Sequence, residues 1–132
     1  MAHQTTVSVR FSELDPYNHV NHAVYLNYFE IARVAALESV DLGIGRLREE
    51  GHQIVVVEIT VAYRIPAAYG DTLVVSTEIE ETARASSRWV QEIRRGDDLI
   101  ATARLRAALT GANGRPRRFP AEFVQRLNAL GS

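Results

Sequence analysis

The spacing of apolar and polar positions predicts one long helix among five strands. Residues 5–11 alternate, with Val7, Val9 and Phe11 on one face and Ser8 and Arg10 on the other, the period of a half-buried strand. After a loop containing Pro16 and Asn18, the chain from His22 to about Val40 has neither Gly nor Pro, and Leu42-Gly43 supplies a stop, which predicts a helix. Asn27, Glu30, Arg33, Glu38 and Asp41 fall on a restricted arc of that helix, and apolar residues cover the remainder, so other elements should wrap it. From Gln53 to Ile65 the odd positions Val55, Val57, Ile59, Val61, Tyr63 and Ile65 are apolar, which predicts a long strand with an odd core face. Gly70-Asp71 marks a turn, followed by a strand with Leu73, Val75 and Ile79 on one side. Ser86 to Arg95 repeats the alternation around Trp89 and Ile93. After Gly96-Asp97 a fifth strand carries Leu99, Ala101, Ala103, Leu105, Ala107 and Leu109. Short turns between the last three strands make an antiparallel meander, and Pro120 to Leu130 predicts a short terminal helix with Phe123, Leu127 and Leu130 inward. The expected class is α+β, a curved five-stranded antiparallel sheet around one long helix.

Composition narrows the chemistry. At 132 residues, 46% hydrophobic and without repeats or linkers, the chain is expected to be a single domain over 1–132. It has no Cys, which excludes a disulfide framework, a thiol nucleophile and cysteine-based zinc sites. Fifteen basic residues, all Arg, oppose sixteen acidic ones for a net charge of -1, so no global field favours nucleic acid or an anionic membrane. The start of the chain lacks a signal-peptide pattern, and no apolar run is long enough to span a membrane. The expectation is a soluble, cytoplasmic protein that needs no metal or cofactor. There is no G-x-S-x-G, neither Ser86 nor Ser87 has a His nearby in sequence, and there is no glycine-rich phosphate loop at a strand-to-helix turn.

The segment from Phe11 to Arg33, FSELDPYNHVNHAVYLNYFEIAR, carries the chemical signal. Asp15 precedes Pro16, which disfavours a helical conformation and leaves the carboxylate in the loop ahead of the long helix. That helix begins with N–H groups lacking intrahelical partners and with partial positive charge, suited to a carbonyl oxygen or an oxyanion. A carboxylate beside such a site has the elements for hydrolysing an activated acyl group, by general-base attack of water or through an anhydride. Each residue also has a plainer role open to it. Asp15 could serve as a cap or Asx turn, Asn18 as a loop residue and Asn21 as the helix cap. His19 and His22 with Asp15 could ligate a metal, while Tyr25, Tyr28 and Phe29 follow core spacing, with Tyr25 near enough to the helix start to line an acyl site.

The order strand, D-P-Y-N-H-V-N-H-A-V-Y-L-N-Y-F-E, long helix and antiparallel strands resembles the hotdog-fold acyl-CoA thioesterases of the 4-hydroxybenzoyl-CoA thioesterase type. The later stretch YRIPAAYGD looks like the connection between the second and third strands of that family, so the similarity covers nearly the whole chain. The resemblance implies a hotdog fold and hydrolysis of an acyl-CoA to free acid and CoA. It matches Asp15 to the catalytic carboxylate and the N–H near His22 to the group polarising the thioester carbonyl. Asn18, His19 and Tyr25 become candidates for substrate binding. Where many members read D-x-D this chain has Glu13-Leu14-Asp15, and where HVNN is common it has His19-Val20-Asn21-His22. The family implies a homodimer or homotetramer with the thioester between subunits, and pairing exposed sheet edges is compatible with that. Arg115, Arg117 and Arg118, in the run NGRPRR, are candidates for the coenzyme phosphates, with a solvated basic loop as the plainer reading. Two other functions remain in view: a hotdog hydratase or dehydratase, though Asp15 and His19 do not match the usual D-x-N-P-x-H spacing, and a noncatalytic acyl-thioester-binding protein.

Overall fold

In a computed structural model, which describes residues 2–131, one five-stranded antiparallel sheet curves about a long helix. The elements are β1 (His3–Ser8), α1 (Val24–Ser39), α2 (Ile44–Glu49), β2 (His52–Tyr63), β3 (Thr72–Thr82), β4 (Ser86–Arg95), β5 (Asp98–Gly111) and α3 (Ala121–Asn128). The strand order is β1-β3-β4-β5-β2, so the expected meander β3–β4–β5 forms the centre and the first two strands become the edges. Gly70 and Gly96, at φ 85° and 58°, adopt the left-handed backbone that their turns require. The terminal helix buries Phe123 and Leu127, with Leu130 just beyond it, as their helical spacing predicts.

Three local expectations are corrected. Phe11 does not extend β1: the Val9 N–H donates to the Asp71 carbonyl at 3.0 Å, after which the chain turns through a short 3-10 helix over Phe11–Glu13. Phe11 is therefore 78% exposed and meets Tyr69 edge-on, with ring centroids 6.2 Å apart. The stop at Leu42-Gly43 ends α1 as expected but is followed by α2, a six-residue helix whose Leu47 is buried. Six residues are too few to display a hydrophobic period.

The third correction concerns β2. Its pairing with β5 shifts register between Val56 and Glu58, making Val57 an extra residue. Ile59, Val61 and Tyr63 lie opposite the inward residues Leu105, Ala103 and Ala101, as the odd-face pattern predicts. On the other side of the bulge, Ile54 and Val56 lie opposite inward Leu109 and Ala107, so Val55 turns outward. Relative to unbroken alternation, one inserted residue reverses the facing of every residue beyond it. Val55, Val56 and Val57 are 39–49% exposed because β2 is an edge strand and α1 packs toward β1 and β3.

The inner face holds two apolar clusters. Tyr25, Tyr28, Phe29, Val20, Leu73, Val75 and Ile93 gather near the start of α1, and Ala36, Leu42, Trp89, Leu109, Phe119, Phe123 and Leu127 near its end. Between them on β4 lies buried Gln91, donating from Nε2 to the Phe29 carbonyl (2.9 Å) and Thr77 Oγ1 (3.0 Å) while its Oε1 accepts from Arg33 at 3.0 Å. The outer face carries ion pairs across strands, including Arg104–Glu80 at 2.9 Å.

Candidate active site

The loop ahead of α1 is built around Asp15. Its Oδ1 accepts from the backbone N–H groups of Tyr17 (2.8 Å) and His19 (3.0 Å), while its own N–H donates to the His19 carbonyl. This is the Asx turn that Asp before Pro favours. Asn18 closes the turn at φ 63°, a conformation Asn tolerates better than most residues. Among the described residues no donor engages Asp15 Oδ2, so one carboxylate oxygen is pinned and the other is unengaged.

Neighbouring segments fix this loop from both sides. Leu14 bridges to Val20 and His19 to Ala68, and the Val20 N–H donates to the Ala67 carbonyl at 2.8 Å. Glu13 ties the loop to α1: its Oε1 accepts from the Tyr28 hydroxyl and the Arg10 N–H, both at 2.8 Å. Burial pushes the Glu13 carboxyl up, but these donors and the Arg10 guanidinium outweigh it and hold the group below its ordinary value. Burial, then the Glu13 hydrogen bond and charge, push the Tyr28 phenol well up. On the opposite wall Asp71 Oδ2 accepts from the Ala68 N–H at 2.9 Å and from Arg95 at 2.8 Å, bracing the turn that carries Pro66 and Ala67. The Ala68 N–H and the Arg95 guanidinium together overcome burial and hold the Asp71 carboxyl below its ordinary value.

The approach to α1 closes the site. The regular helix starts at Val24, two residues later than the sequence suggests, because His22 and Ala23 form a turn that leads into it. Asn21 caps that turn, with its side-chain oxygen accepting from the Ala23 N–H at 2.9 Å and its carbonyl from Val24. The His22 carbonyl accepts from the Tyr63 hydroxyl at 2.9 Å, whereas no acceptor among the described residues takes the His22 N–H. The result is a cleft of about 320 Å³ lined by Asp15, His19, Val20, His22, Tyr25, Tyr63, Arg64, Ile65 and Pro66. A hollow of about 370 Å³ on the outer sheet face is a poorer candidate, because its Glu58, Glu80, Arg104 and Arg106 are already paired with one another.

Four of the residues singled out in the sequence, Asp15, His19, His22 and Tyr25, therefore meet in one cleft. Asn18 lies at the turn apex outside its lining. Arg115, Arg117 and Arg118 follow Gly111, which pairs with His52, whereas the cleft adjoins Tyr63 at the other end of β2. At about 3.3 Å per residue the two ends of that strand stand about 36 Å apart. Arg117 lies flat on Gly111, where a Cβ would come within 2.6 Å of its Nε. Asp15, His19 and His22 do not make a metal site, and no group of three possible ligands does so among the described residues. The alternation pattern could not reveal Tyr63 as the partner of the His22 carbonyl, or Glu13 and Asp71 as braces, because these contacts join segments distant in sequence.

The matching family model, described as the thioesterase-like superfamily, covers residues 9–127, and the chain belongs to that superfamily. Its architecture is the hotdog fold of thioesterase structures. Over 78 residues the chain is 37% identical to the long-chain acyl-CoA thioesterase FadM of Escherichia coli (strain K12), covering 59% of this chain and 58% of that one. Its alignments span 44–58% of the length of three curated relatives, so the chain spans about half the length of those proteins. A hypothetical protein from Thermus thermophilus superposes with a TM-score of 0.91 at 30% identity, covering 96% of this chain and 98% of that one. A thioesterase from the same species, crystallised with coenzyme A and zinc, superposes at 0.84 with 30% identity, covering 96% and 92%. No described helix is long and apolar enough to cross a membrane.

Proposed function

We propose that the chain is an acyl-CoA thioesterase, hydrolysing an acyl thioester to free acid and CoA. The observation that carries this reading is Asp15, with one oxygen pinned by two N–H groups and the other unengaged, in a cleft that also holds the unclaimed His22 N–H. Membership of the thioesterase-like superfamily supports the reaction class. In the general-base route Asp15 takes a proton from water, whose oxygen bonds to the acyl carbon. The carbonyl electron pair moves onto oxygen, where the His22 N–H stabilises it. Return of that pair expels the CoA thiolate, which takes up the proton. In the alternative route an Asp15 oxygen attacks the acyl carbon directly, expels the thiolate and leaves an anhydride for water to open. His19 and Tyr25 border the reacting group, and Asn18 acts through the turn that aims Asp15.

The working form in this reading is a homodimer or a dimer of dimers. The outer edge of β2 has no neighbouring strand and carries the exposed Val55–Val57 run, features that favour pairing with a second copy. Antiparallel pairing about the middle of β2 would set the His52 end of one copy against the Tyr63 end of the other. The partner's 112–118 loop would then flank the cleft, giving Arg115, Arg117 and Arg118 a route to coenzyme phosphates that they lack within one subunit.

The test is a panel of short, long, branched and aromatic acyl-CoAs assayed for thiol release. The expected result is release of free CoA with a preference among acyl groups. Absence of thiol release from every member would overturn the hydrolase reading and leave the hydratase or binding alternatives.

A further inference from the structure

Tyr25 stands in the first turn of α1 and is only 4% exposed, yet it lines the cleft. Its ring is held edge-on by Tyr28, with centroids 6.0 Å apart, and by Tyr63 at 5.4 Å, which fixes the hydroxyl. The oxygen accepts the Ala67 N–H at 3.1 Å. A phenol has one proton to donate, and no acceptor among the described residues takes this one. A buried donor left unpaired costs roughly 1–3 kcal/mol, so its persistence in a cleft points to an acceptor on a ligand. Accepting a hydrogen bond from Ala67 also polarises the O–H and strengthens it as a donor.

The surroundings keep that proton in place. Burial pushes the Tyr25 phenol above its ordinary value; the Ala67 N–H opposes this, and the Tyr63 phenol and Asp15 carboxylate reinforce it. Tyr25 is therefore a neutral donor at neutral pH, beside a carboxylate that can act as base.

We propose that the Tyr25 hydroxyl donates a hydrogen bond to the acyl carbonyl oxygen in the cleft, as a second donor beside the His22 N–H. This rests on the thioester reading of the site. During attack the carbonyl electron pair moves onto oxygen and returns when the thiolate leaves, while the Tyr25 proton stays on tyrosine throughout. Tyr25 is thus a catalytic residue that acts on developing charge.

Two measurements on Tyr25→Phe test it. Loss of one such donor typically costs about 10² to 10³ in kcat, so kcat for the preferred acyl-CoA should fall by about that factor with KM nearly unchanged. Binding is then measured for two inert CoA analogues, a ketone in which methylene replaces the thioester sulfur and a thioether lacking the carbonyl. The variant should bind the ketone about 10-fold more weakly and the thioether with unchanged affinity. Equal weakening of both analogues, or an undiminished kcat, would overturn the assignment. If Phe disturbs the turn through the lost Ala67 bond, 3-fluorotyrosine at position 25 keeps the oxygen and makes the O–H a stronger donor. It should tighten ketone binding relative to thioether, and an unchanged ratio sinks the proposal. Because this arm reads binding, a wild-type protein that binds both analogues but releases no thiol overturns the hydrolase reading while Tyr25 is still decided.

Discussion

At its C-terminal end α1 runs into hydrocarbon: Leu42 and Leu47 pack with Phe119, Phe123 and Leu127 over Trp89. Arg46 of α2 clamps that end from outside, paired with Asp41, Glu50 and Glu122 and lying 5.6 Å over the Phe123 ring. At its N-terminal end the same helix meets a loop of turns and bridges, three tyrosine rings, and polar groups facing a cleft. Gln91 marks the boundary between the two. One end has its apolar surface covered and its Arg46 held by three carboxylates, with His52 Nδ1 and Thr110 Oγ1 buried without a partner and facing no cleft. The other, among the described residues, leaves an Asp15 oxygen, the His22 N–H and the Tyr25 proton without a partner beside the cleft. If the cleft is the active site, as proposed, stability and chemistry fall at opposite ends of one helix, and substitutions should separate them.

The largest effect is expected from Asp15→Asn. A positioned base contributes roughly 10² to 10⁴ in rate, so turnover should fall by at least about 10² with little change in melting temperature. Asn preserves the acceptor for the Tyr17 and His19 N–H groups, so a folded variant with near-full activity would show Asp15 to be purely structural. Single-turnover hydrolysis in oxygen-18 water separates the two routes, since only an anhydride can carry solvent oxygen into the Asp15 carboxylate. The mirror experiment is Phe123→Ala, which should cost about 3–5 kcal/mol of stability in denaturant unfolding. At a temperature where that variant is folded its kcat should stay within a few-fold of wild type. A collapse of kcat in the folded variant would show that the two ends are coupled.

A smaller effect follows from replacing Arg117 and Arg118 together by Gln. KM for acyl-CoA should rise roughly 10-fold, about the worth of one charge-assisted contact, while KM for the same acyl group on a short thiol carrier stays put. Equal changes on both carriers would argue for a solvated basic loop.

The smallest concerns Glu13, whose carboxyl is held below its ordinary value in the folded protein. The unfolded chain therefore binds the proton more readily, so this group stabilises the fold above about pH 4. That contribution is lost as pH falls through the lower folded value. Glu13→Gln should reduce the melting temperature by a few degrees near neutrality and flatten its decline between about pH 5 and pH 3. The residual slope belongs to groups such as Asp71, also held low. Parallel pH curves for wild type and variant would remove Glu13 as the titrating brace.

The closed end and the meander are the parts most readable from sequence. Ser86–Arg95 alternates in burial up to the turn at Gly96, and Phe123, Leu127 and Leu130 sit about one helical turn apart, so local period and burial agree. The cleft end is readable at Asp15, because Pro16 restricts it, and in part at Asn21, whose local bond to the Ala23 N–H caps the turn before α1 while Ala23 takes the N-cap position expected of Asn21. Its other wall is not: Tyr63 reaches a carbonyl 41 positions away and Tyr25 an N–H 42 positions away. No periodicity encodes such pairings. The bulge in β2 is hidden for a different reason. Ile54, Val55, Val56 and Val57 are all apolar, so either face of that stretch reads as the core face.

That bulge also shapes how the gene can drift. Because Val57 is one residue more than β5 needs as a partner, an in-frame loss of its codon removes the irregularity and leaves Ile54, Val56, Ile59 and Val61 on the faces they already occupy. Loss of the Val55 codon has nearly the same result, since Val57 can step into the inward place of Val56. Beyond the bulge the tolerance ends. A codon inserted between Ile59 and Tyr63 has no such slack to absorb it, and it would turn outward whichever residues lie past it unless a second bulge formed. Inherited length changes in this strand should therefore be single deletions gathered in the valine run. Lineages that carry one would have a straighter, less twisted outer edge, and with it a different angle between the two copies of a paired molecule.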